Sequence, residues 1–141
     1  MEKLAEGYSL VEGPIWVPGQ GLLYSDVLNG GVFCVDRQGN VTTVFAYRKG
    51  IGGMSVHENG GMIVSGRNIS WKSVPEGETI TVLDQNEAAG LIGFNDITTD
   101  QAGRIYAGSL GSSPGFEDGS APQSGHLDPV SYTTPTLPTK A

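Results

Sequence analysis

The 141-residue sequence predicts an all-β protein, a β-propeller with about three blades of four antiparallel strands each. Three observations support this prediction. The chain contains 22 glycines, and its periodic segments are short, which is typical of strands joined by tight turns. A turn that closes on glycine and starts a strand occurs three times. Its period is near 40 residues, a length typical of one propeller blade.

The repeat is clearest when three stretches are aligned on one glycine. These stretches are "PGQGLLYSD", "ENGGMIVSG" and "DQAGRIYAG", whose turns close at Gly21, Gly61 and Gly103. The glycines are 40 and 42 residues apart, and a short apolar segment precedes each turn. An antiparallel sandwich also has recurring turns, but without so fixed a long spacing. The sequence therefore favours the propeller over the sandwich.

Individual strands can be predicted within each unit. The first unit contains Asn-Gly in "LNGGV", a strong hairpin signal because both residues tolerate positive φ. Its predicted strands are 14–17, 22–28, 32–36 and 41–46. The second unit gives strands 53–57, 62–66 and 79–84, with no strand predicted in the less regular stretch around Trp71. The third unit gives two strands before its resemblance to the repeat ends.

Two regions of different composition divide the chain. Residues 1–111 contain the repeat and are predicted to form the partial propeller. Residues 112–141 hold five of the eight prolines and are rich in serine and threonine, so they lack the apolar surface needed to fold alone. We expect this region to be a disordered tail, or the product of a change of reading frame near residue 128 in a truncated chain.

Charge and cysteine content exclude several classes of partner and cross-link. The net charge is −7 and the eight Lys and Arg residues form no cluster, so neither nucleic acid nor an anionic membrane is expected as a partner. Cys34 is the single cysteine, which rules out an intrachain disulfide, and we expect it in the core. No apolar run is long enough to span a membrane, and "MEKLAEGYSL" is not expected to act as a signal peptide, because it lacks a positively charged stretch followed by an apolar run. We expect a cytoplasmic protein.

Familiar catalytic motifs give no assignment. His57 lies in a turn and His126 in the tail, and neither belongs to the pattern of a serine triad or a zinc site. The stretch "GSSPG" (111–115) matches a nucleophile elbow, but Pro114 follows Ser113 and has no N–H to offer an oxyanion. Serine hydrolase chemistry is therefore not expected.

The repeat itself brings two polar residues to equivalent places. Glu12 is nine residues before Gly21, and Asn95 is eight before Gly103; the corresponding place in the second unit is the glycine pair 52–53. Both residues are expected just before the innermost strand of a blade, where side chains can face the central channel. Their oxygens suit a hard cation such as Ca²⁺, Mg²⁺ or Mn²⁺. The alternative, which spacing alone favours, is an exposed loop acid and an asparagine that caps a turn.

At these residues the sequence resembles the gluconolactonase/regucalcin (senescence marker protein) family. The matching stretches are "EGPIWVPGQGLLYSDVLNGGVFCVD", "GGMSVHENGGMIVSG" and "FNDITTDQAGRIYAGSLG", within residues 8–115. The resemblance implies a six-bladed propeller that holds one divalent cation in its channel and hydrolyses sugar lactones or related cyclic esters. Glu12 would be a metal ligand. Asn95 would bind the substrate or a metal-bound water.

The resemblance also implies a cofactor and a substrate. The cofactor would be one divalent cation, Ca²⁺ foremost, with Mn²⁺, Mg²⁺ or Zn²⁺ as alternatives, and the substrate a small lactone. The family's other two ligands, an Asn and an Asp, come from later blades, and that Asp is also its acid/base, so no catalytic residue is assigned in this chain. Members resembling the animal enzyme have Arg at the place of Gly93 and an acid at that of Ser113, so the lactone is not specified.

Length raises alternatives to an active lactonase. Six blades of about 40 residues need about 240 residues, and 141 provide about three blades. The chain could be a non-catalytic binding module that pairs with a second copy or another chain and so completes the propeller. It could also be an inactive fragment, because an incomplete propeller has unpaired edges prone to aggregation.

Overall fold

The computed structural model describes residues 1–58, 60–74, 77–86, 88, 90–112 and 124–130. Within these ranges the chain forms eleven strands in three antiparallel sheets. Each sheet corresponds to one unit of the sequence repeat, so the predicted all-β class is confirmed. No helix in the described ranges is long and apolar enough to cross a membrane.

The first sheet is a four-stranded meander in the order β1-β2-β3-β4. Its strands are β1 (Val11–Val17), β2 (Gly21–Asp26), β3 (Val32–Val35) and β4 (Val41–Phe45). All four were predicted from the sequence. Strand β1 begins three residues earlier than predicted, because the chain pairs with β2 before and after an irregularity between Glu12 and Ile15. That irregularity contains Gly13 at φ +60° and Pro14, which has no N–H for the ladder.

The second sheet repeats this order as β5-β6-β7-β8. Its strands are β5 (Met54–Val56), β6 (Met62–Val64), β7 (Ile69–Lys72) and β8 (Thr79–Leu83). The prediction missed β7, which is the stretch around Trp71. Its first three residues are all buried, so no alternation of apolar and polar residues marks the strand.

The third sheet has the order β11-β10-β9. Its strands are β9 (Gly93–Thr99), β10 (Ile105–Leu110) and β11 (Leu127–Val130). The two predicted strands are β9 and β10. The third, β11, lies inside the region predicted as a tail and pairs with β10 from Ile105↔Val130 to Gly108↔Leu127. Residues 113–123 and 131–141 lie outside the described residues, so the prediction made for them stays a prediction.

Two hydrophobic cores hold the three sheets face to face. The first lies between the first and second sheets and includes the fully buried Val32, Ile51 and Val64. The second lies between the second and third sheets and includes Ile69 and Ala107. Burying one aliphatic side chain contributes about 1.5–3 kcal/mol, so these two layers supply most of the stability. Stacked sheets with a core between each pair are the arrangement expected for neighbouring propeller blades.

Cys34 lies in the first core, as predicted from its place in an apolar strand. Burial raises the pKa of its thiol, and the nearby charge of Asp36 raises it further. The thiolate is therefore disfavoured, and this cysteine has the environment of a structural residue and not of a nucleophile.

Candidate functional site

The candidate site lies where the first strands of the three sheets begin. Strand β5 contacts both β1 and β9, so the three strands lie side by side. Their starting ends carry Glu12–Gly13, Gly52–Gly53 and Asn95–Asp96. These are the equivalent positions of the three repeat units, so positions about 40 residues apart in sequence are neighbours in the fold.

Glu12 and Asn95 lie inside strands, and the prediction that both precede their strand is wrong. Glu12 is the second residue of β1 and pairs with Ser25 of β2. Asn95 is the third residue of β9. The first strands extend further toward this end of the sheets than the apolar pattern indicated, because backbone pairing continues past the last core residue.

The glycine pair of the second unit allows the strands to approach closely. A β-carbon on Gly52 would overlap Oδ1 of Asn95 and lie 3.3 Å from its Cα. A β-carbon on Gly53 would lie 2.6 Å from the backbone nitrogen of Ile97. Any side chain at these two positions would therefore push β9 or the Asn95 amide away. Glycine at 52 leaves the space that the Asn95 amide occupies.

Gly13 has the same role between β1 and β5. It has φ +60°, and a β-carbon there would lie 3.3 Å from both Cα of Gly53 and Cε of Met54. Glu12 is thus followed by a residue whose backbone packs on the second unit. The carboxylate position is set by backbone contact between neighbouring sheets and not by a flexible loop.

Two buried serines form hydrogen bonds that link neighbouring sheets. Oγ of Ser25 lies 2.6 Å from the carbonyl oxygen of Ile51 and 3.1 Å from that of Glu12, and its one proton serves both acceptors. Oγ of Ser65 accepts a 2.8 Å hydrogen bond from N–H of Gly53 and donates to the carbonyl oxygen of Asn95. Both serines are fully buried. Ser25 therefore ties the first sheet to the segment that leads into β5, and Ser65 ties the second sheet to β9 at Asn95.

The polar side-chain groups of Glu12 and Asn95 have no bonding partner within the described residues. Among the residues that the structure describes, the Glu12 carboxylate and the Asn95 amide make no hydrogen bond or ion pair. Asn95 is exposed and Glu12 partly exposed, so both can reach a ligand. The alternative that Asn95 caps a turn with its side chain does not hold, because the residue lies in a strand and its amide bonds no backbone group.

Structural acids elsewhere in the chain look different. Asp36 accepts hydrogen bonds from the backbone N–H groups of Gln38 (2.8 Å) and Asn40 (2.9 Å) and from the Asn40 side chain, and these bonds lower its pKa. Asp100 is paired with Arg104 at 2.6 Å, which lowers its pKa in the same way. Glu12 lacks such donors within the described part of the chain, which sets it apart from an acid that only shapes a turn.

Sequence reasoning missed Asp26, a carboxylate only 2% exposed at the end of β2. It accepts hydrogen bonds from backbone N–H of Ser9 (3.0 Å) and Asn29 (3.1 Å) and from the Asn29 side chain (3.0 Å). Burial would raise the pKa of this carboxyl, but the bonds from Ser9, Asn29 and Leu10 outweigh burial and lower it. Asp26 thus anchors the segment that leads into β1 and Glu12. The pattern "YSD" before a hairpin turn was the only signal for it.

The donors described here are too few for a complete metal centre. In the described ranges no group of three or more His, Cys, Asp and Glu side chains could hold a metal ion. Glu12 and Asn95 offer oxygen donors, whereas Ca²⁺ takes six to eight oxygens. Further donors would have to be water, substrate or protein groups outside this set.

Comparisons with known proteins agree with this architecture. The family model described as "SMP-30/Gluconolactonase/LRE-like region" matches residues 10–128. The gluconolactonase of Xanthomonas campestris superimposes with a TM-score of 0.69 at 19% identity over 89% of this chain and 44% of that one. A protein described as a candidate gluconolactonase superimposes with a TM-score of 0.62 at 21% identity over 78% and 39%. No curated protein sequence matches the chain.

These likenesses establish the fold as part of a β-propeller, with three blades in this chain. The predicted fold class is thereby confirmed. The chain spans about two fifths of the length of the two solved structures, 44% and 39%. At about 20% identity the structural match carries the fold alone, and the family follows from the match over residues 10–128.

Proposed function

The chain belongs to the SMP-30/gluconolactonase/LRE-like family, and on that premise we propose that it contributes to the metal-dependent hydrolysis of a sugar lactone or a related cyclic ester. One observation carries the proposal. Glu12 and Asn95 lie at the same end of the first strands of the first and third sheets, and Gly52 of the second unit lies between those strands. The side-chain oxygen atoms of both residues make no hydrogen bond or ion pair within the described residues. In this proposal the described blades supply one part of the site, and the activity needs further groups from outside them.

The donor chemistry fits one hard divalent cation. A carboxylate and an amide oxygen suit Ca²⁺ foremost, and also Mn²⁺ or Mg²⁺, whereas Zn²⁺ prefers nitrogen and sulfur ligands. Asn95 Oδ1 lies in the space that a β-carbon at Gly52 would fill, so its position is defined by packing. When bound, such a cation polarises the lactone carbonyl and lowers the pKa of a coordinated water.

The residues of this chain have two tasks in the proposal. Glu12 contributes negative charge and an oxygen ligand from β1. Asn95 orients a water or the lactone by hydrogen bonding, or contributes its amide oxygen as a ligand. Ser25 and Ser65 hold the backbones of both residues and so fix the geometry, which matters because misplacement by 1 Å can cost about 100-fold in rate.

The remaining ligands and the acid/base come from outside the described blades. Other segments of the protein, a second copy or another chain could supply them by completing the channel. In each case Glu12 and Asn95 form one side of the site, and the opposite side is contributed elsewhere.

Calorimetric titration of the chain with CaCl₂ and with MnCl₂ tests the proposal. Glu12→Gln keeps the shape and removes the charge, and we expect it to weaken cation binding at least about tenfold, or 1.4 kcal/mol. Glu58→Gln is the matched control, since Glu58 is an exposed acid at the opposite end of β5. Hydrolysis of gluconolactone with and without the cation is measured beside it. Equal cation affinity in wild type and Glu12→Gln would reject Glu12 as a ligand.

A further inference from the structure

The hairpin turn between β2 and β3 contains an Asn-Gly pair, Asn29–Gly30, which the proposed function does not use. In such a pair the backbone nitrogen of the glycine can attack the amide carbon of the asparagine side chain, because glycine has no side chain to block the approach. The Asn29 side chain is exposed to solvent, whereas Gly30 is buried. The contacts of these two residues therefore decide whether the attack can occur in the folded chain.

The Asn29 side chain is held by the carboxylate of Asp26, which is only 2% exposed. Nδ2 of Asn29 donates a 3.0 Å hydrogen bond to Oδ2 of Asp26, and the backbone N–H of Asn29 donates a 3.1 Å bond to Oδ1. The backbone N–H of Leu28 donates to the same Oδ1 at 3.3 Å. The amide group that deamidation would remove is therefore bonded to a buried acceptor whose position is fixed.

The backbone nitrogen of Gly30 is held on its other side. Its N–H donates a 2.8 Å hydrogen bond to the carbonyl oxygen of Asp26. A β-carbon on Gly30 would lie 2.7 Å from the carbonyl oxygen of Tyr47, so the connection from β4 to β5 packs directly on this residue. The nitrogen therefore cannot turn toward the amide carbon of Asn29 unless the turn opens.

We propose that Asn29 is a deamidation site that the Asp26 anchor suppresses, and that conversion of Asn29 releases the segment leading into β1. When the turn opens, the Gly30 nitrogen forms a bond to Cγ of Asn29. The bond from Cγ to Nδ2 breaks, and Nδ2 leaves as ammonia with the Gly30 proton, which closes a cyclic imide. Water then opens the imide at one of its two carbonyl carbons and gives aspartate or isoaspartate, so the chain gains one negative charge.

The product disrupts the anchor that slowed its formation. Burial raises the pKa of Asp26, but the hydrogen bonds from Ser9, Asn29 and Leu10 outweigh burial and lower it, so the group is a carboxylate at neutral pH. A carboxylate at residue 29 puts a like charge where a donor lay 3.0 Å away. Isoaspartate also adds an atom to a backbone that is packed on Tyr47. Because Asp26 holds the N–H groups of Ser9 (3.0 Å) and Leu10 (3.4 Å), the repulsion loosens the chain just before β1.

Peptide mapping by mass spectrometry of the full chain, incubated at pH 8 in buffer and in 6 M urea, tests the protection. Asn59 is the rate reference in urea, because both asparagines precede two glycines in the sequence. In urea we expect the two to react at rates equal within about twofold, since neither is then held by the fold. In buffer we expect Asn29 to react at least about tenfold more slowly than in urea, because the turn must first open.

A variant of the anchor tests whether Asp26 is the protecting group. Asp26→Asn keeps the shape and removes the charged acceptor, and we expect it to raise the rate at Asn29 in buffer at least about tenfold. Fragment ions distinguish residue 26 from residue 29. Asp36→Asn is the matched control, because Asp36 accepts a 3.1 Å bond from the Asn40 side chain in the next turn. It should leave the rate at Asn29 unchanged.

Asn29→Asp tests the consequence, since it introduces the carboxylate of the product directly. We expect a lower melting temperature and exchange of the Ser9 and Leu10 amide protons that is faster by at least about tenfold. Asn40→Asp is the matched control: it places a second carboxylate beside Asp36, which is partly exposed in the turn between β3 and β4. It should leave the exchange of both amide protons unchanged.

Three results would overturn the proposal. They are equal rates at Asn29 in buffer and in urea, an unchanged rate in a cooperatively melting Asp26→Asn, and wild-type exchange of the Ser9 amide proton in Asn29→Asp. If Asp26→Asn does not melt cooperatively, the ratio of the wild-type rates and the exchange in Asn29→Asp decide. No readout involves a cation or a lactone, so the result is independent of the proposed function.

Discussion

The amide oxygen of Asn95 lies where a β-carbon on Gly52 would be. This relationship joins a polar residue of the third blade to a glycine of the second. It explains why the second unit has glycine at the position that carries Glu12 in the first: a side chain there would occupy the space of the Asn95 amide. The second blade thus leaves space at Gly52, while the first and third blades carry the side-chain oxygen atoms of Glu12 and Asn95.

Gly52→Ala is expected to displace the Asn95 amide and to weaken cation binding by about tenfold or more, with a smaller effect on stability. The side-chain end of Asn95 can move more readily than the backbone, so overpacking is relieved mainly at the site. Calorimetric cation titration and urea unfolding measure the two effects. Gly108→Ala is the control, since the nearest heavy atom to a β-carbon there is 3.8 Å away. A larger loss of stability than of affinity would contradict this assignment.

The sequence was sufficient to predict the repeat of blades, because in each unit a turn closed by Gly21, Gly61 or Gly103 joins the first strand to the second. The turn chemistry is local, so it can be recognised without the fold. Strand β7 was missed because burial on both faces removes alternation around Trp71. Strand β11 was missed because Asp128-Pro129 does not indicate a strand, and only the free edge of β10 selects it.

The repeat that allowed the blades to be predicted also allowed part of the site to be predicted. Repeat spacing placed Glu12 and Asn95 at equivalent positions, and the resemblance to a family gave them roles. The hydrogen bonds of Ser25 and Ser65 could not be predicted, because they join backbones more than 25 residues apart that meet only after the sheets stack.

Asp26→Asn is expected to destabilise the chain by about 1–3 kcal/mol at pH 7, because the charged acceptor of several N–H groups is lost from a buried position. The folded-state pKa is lowered, so the stabilisation is present above about pH 4 and disappears as pH falls through the folded-state value. Urea unfolding at pH 7 and pH 3 measures this. The difference in free energy of unfolding between wild type and Asp26→Asn should be smaller at pH 3 than at pH 7.

The control for this pH dependence is Asp36→Asn, which removes a turn acid that is hydrogen-bonded but partly exposed to solvent. We expect a smaller loss of stability from it than from Asp26→Asn. A gap between wild type and Asp26→Asn that is constant with pH would show that the carboxylate charge contributes nothing to the anchor.

Ser65→Ala is expected to cost about 1–3 kcal/mol, because the N–H of Gly53 and the carbonyl oxygen of Asn95 both lose a buried partner. The loss should be accompanied by faster amide exchange in β9. Ser55→Ala is the matched control: its hydroxyl also reaches the third sheet, at 3.2 Å from Oγ1 of Thr99, but at an exposed position. If both variants lose the same stability, the buried serine is not a link between blades.

Cys34 offers a direct measure of whether the described blades fold as a unit. The thiol is 8% exposed in the core between the first two sheets, and burial raises its pKa. We therefore expect alkylation by iodoacetamide at pH 8 to be slower by at least about tenfold than in 6 M urea, since the thiolate reacts and its formation is suppressed.

Ile51→Ala should abolish most of this protection, because Ile51 is fully buried in the same core and such truncations cost about 2–5 kcal/mol. Val41→Ala, an exposed apolar change on β4, should leave the protection intact. Equal rates in buffer and in urea would mean that the first two blades do not pack in the isolated chain.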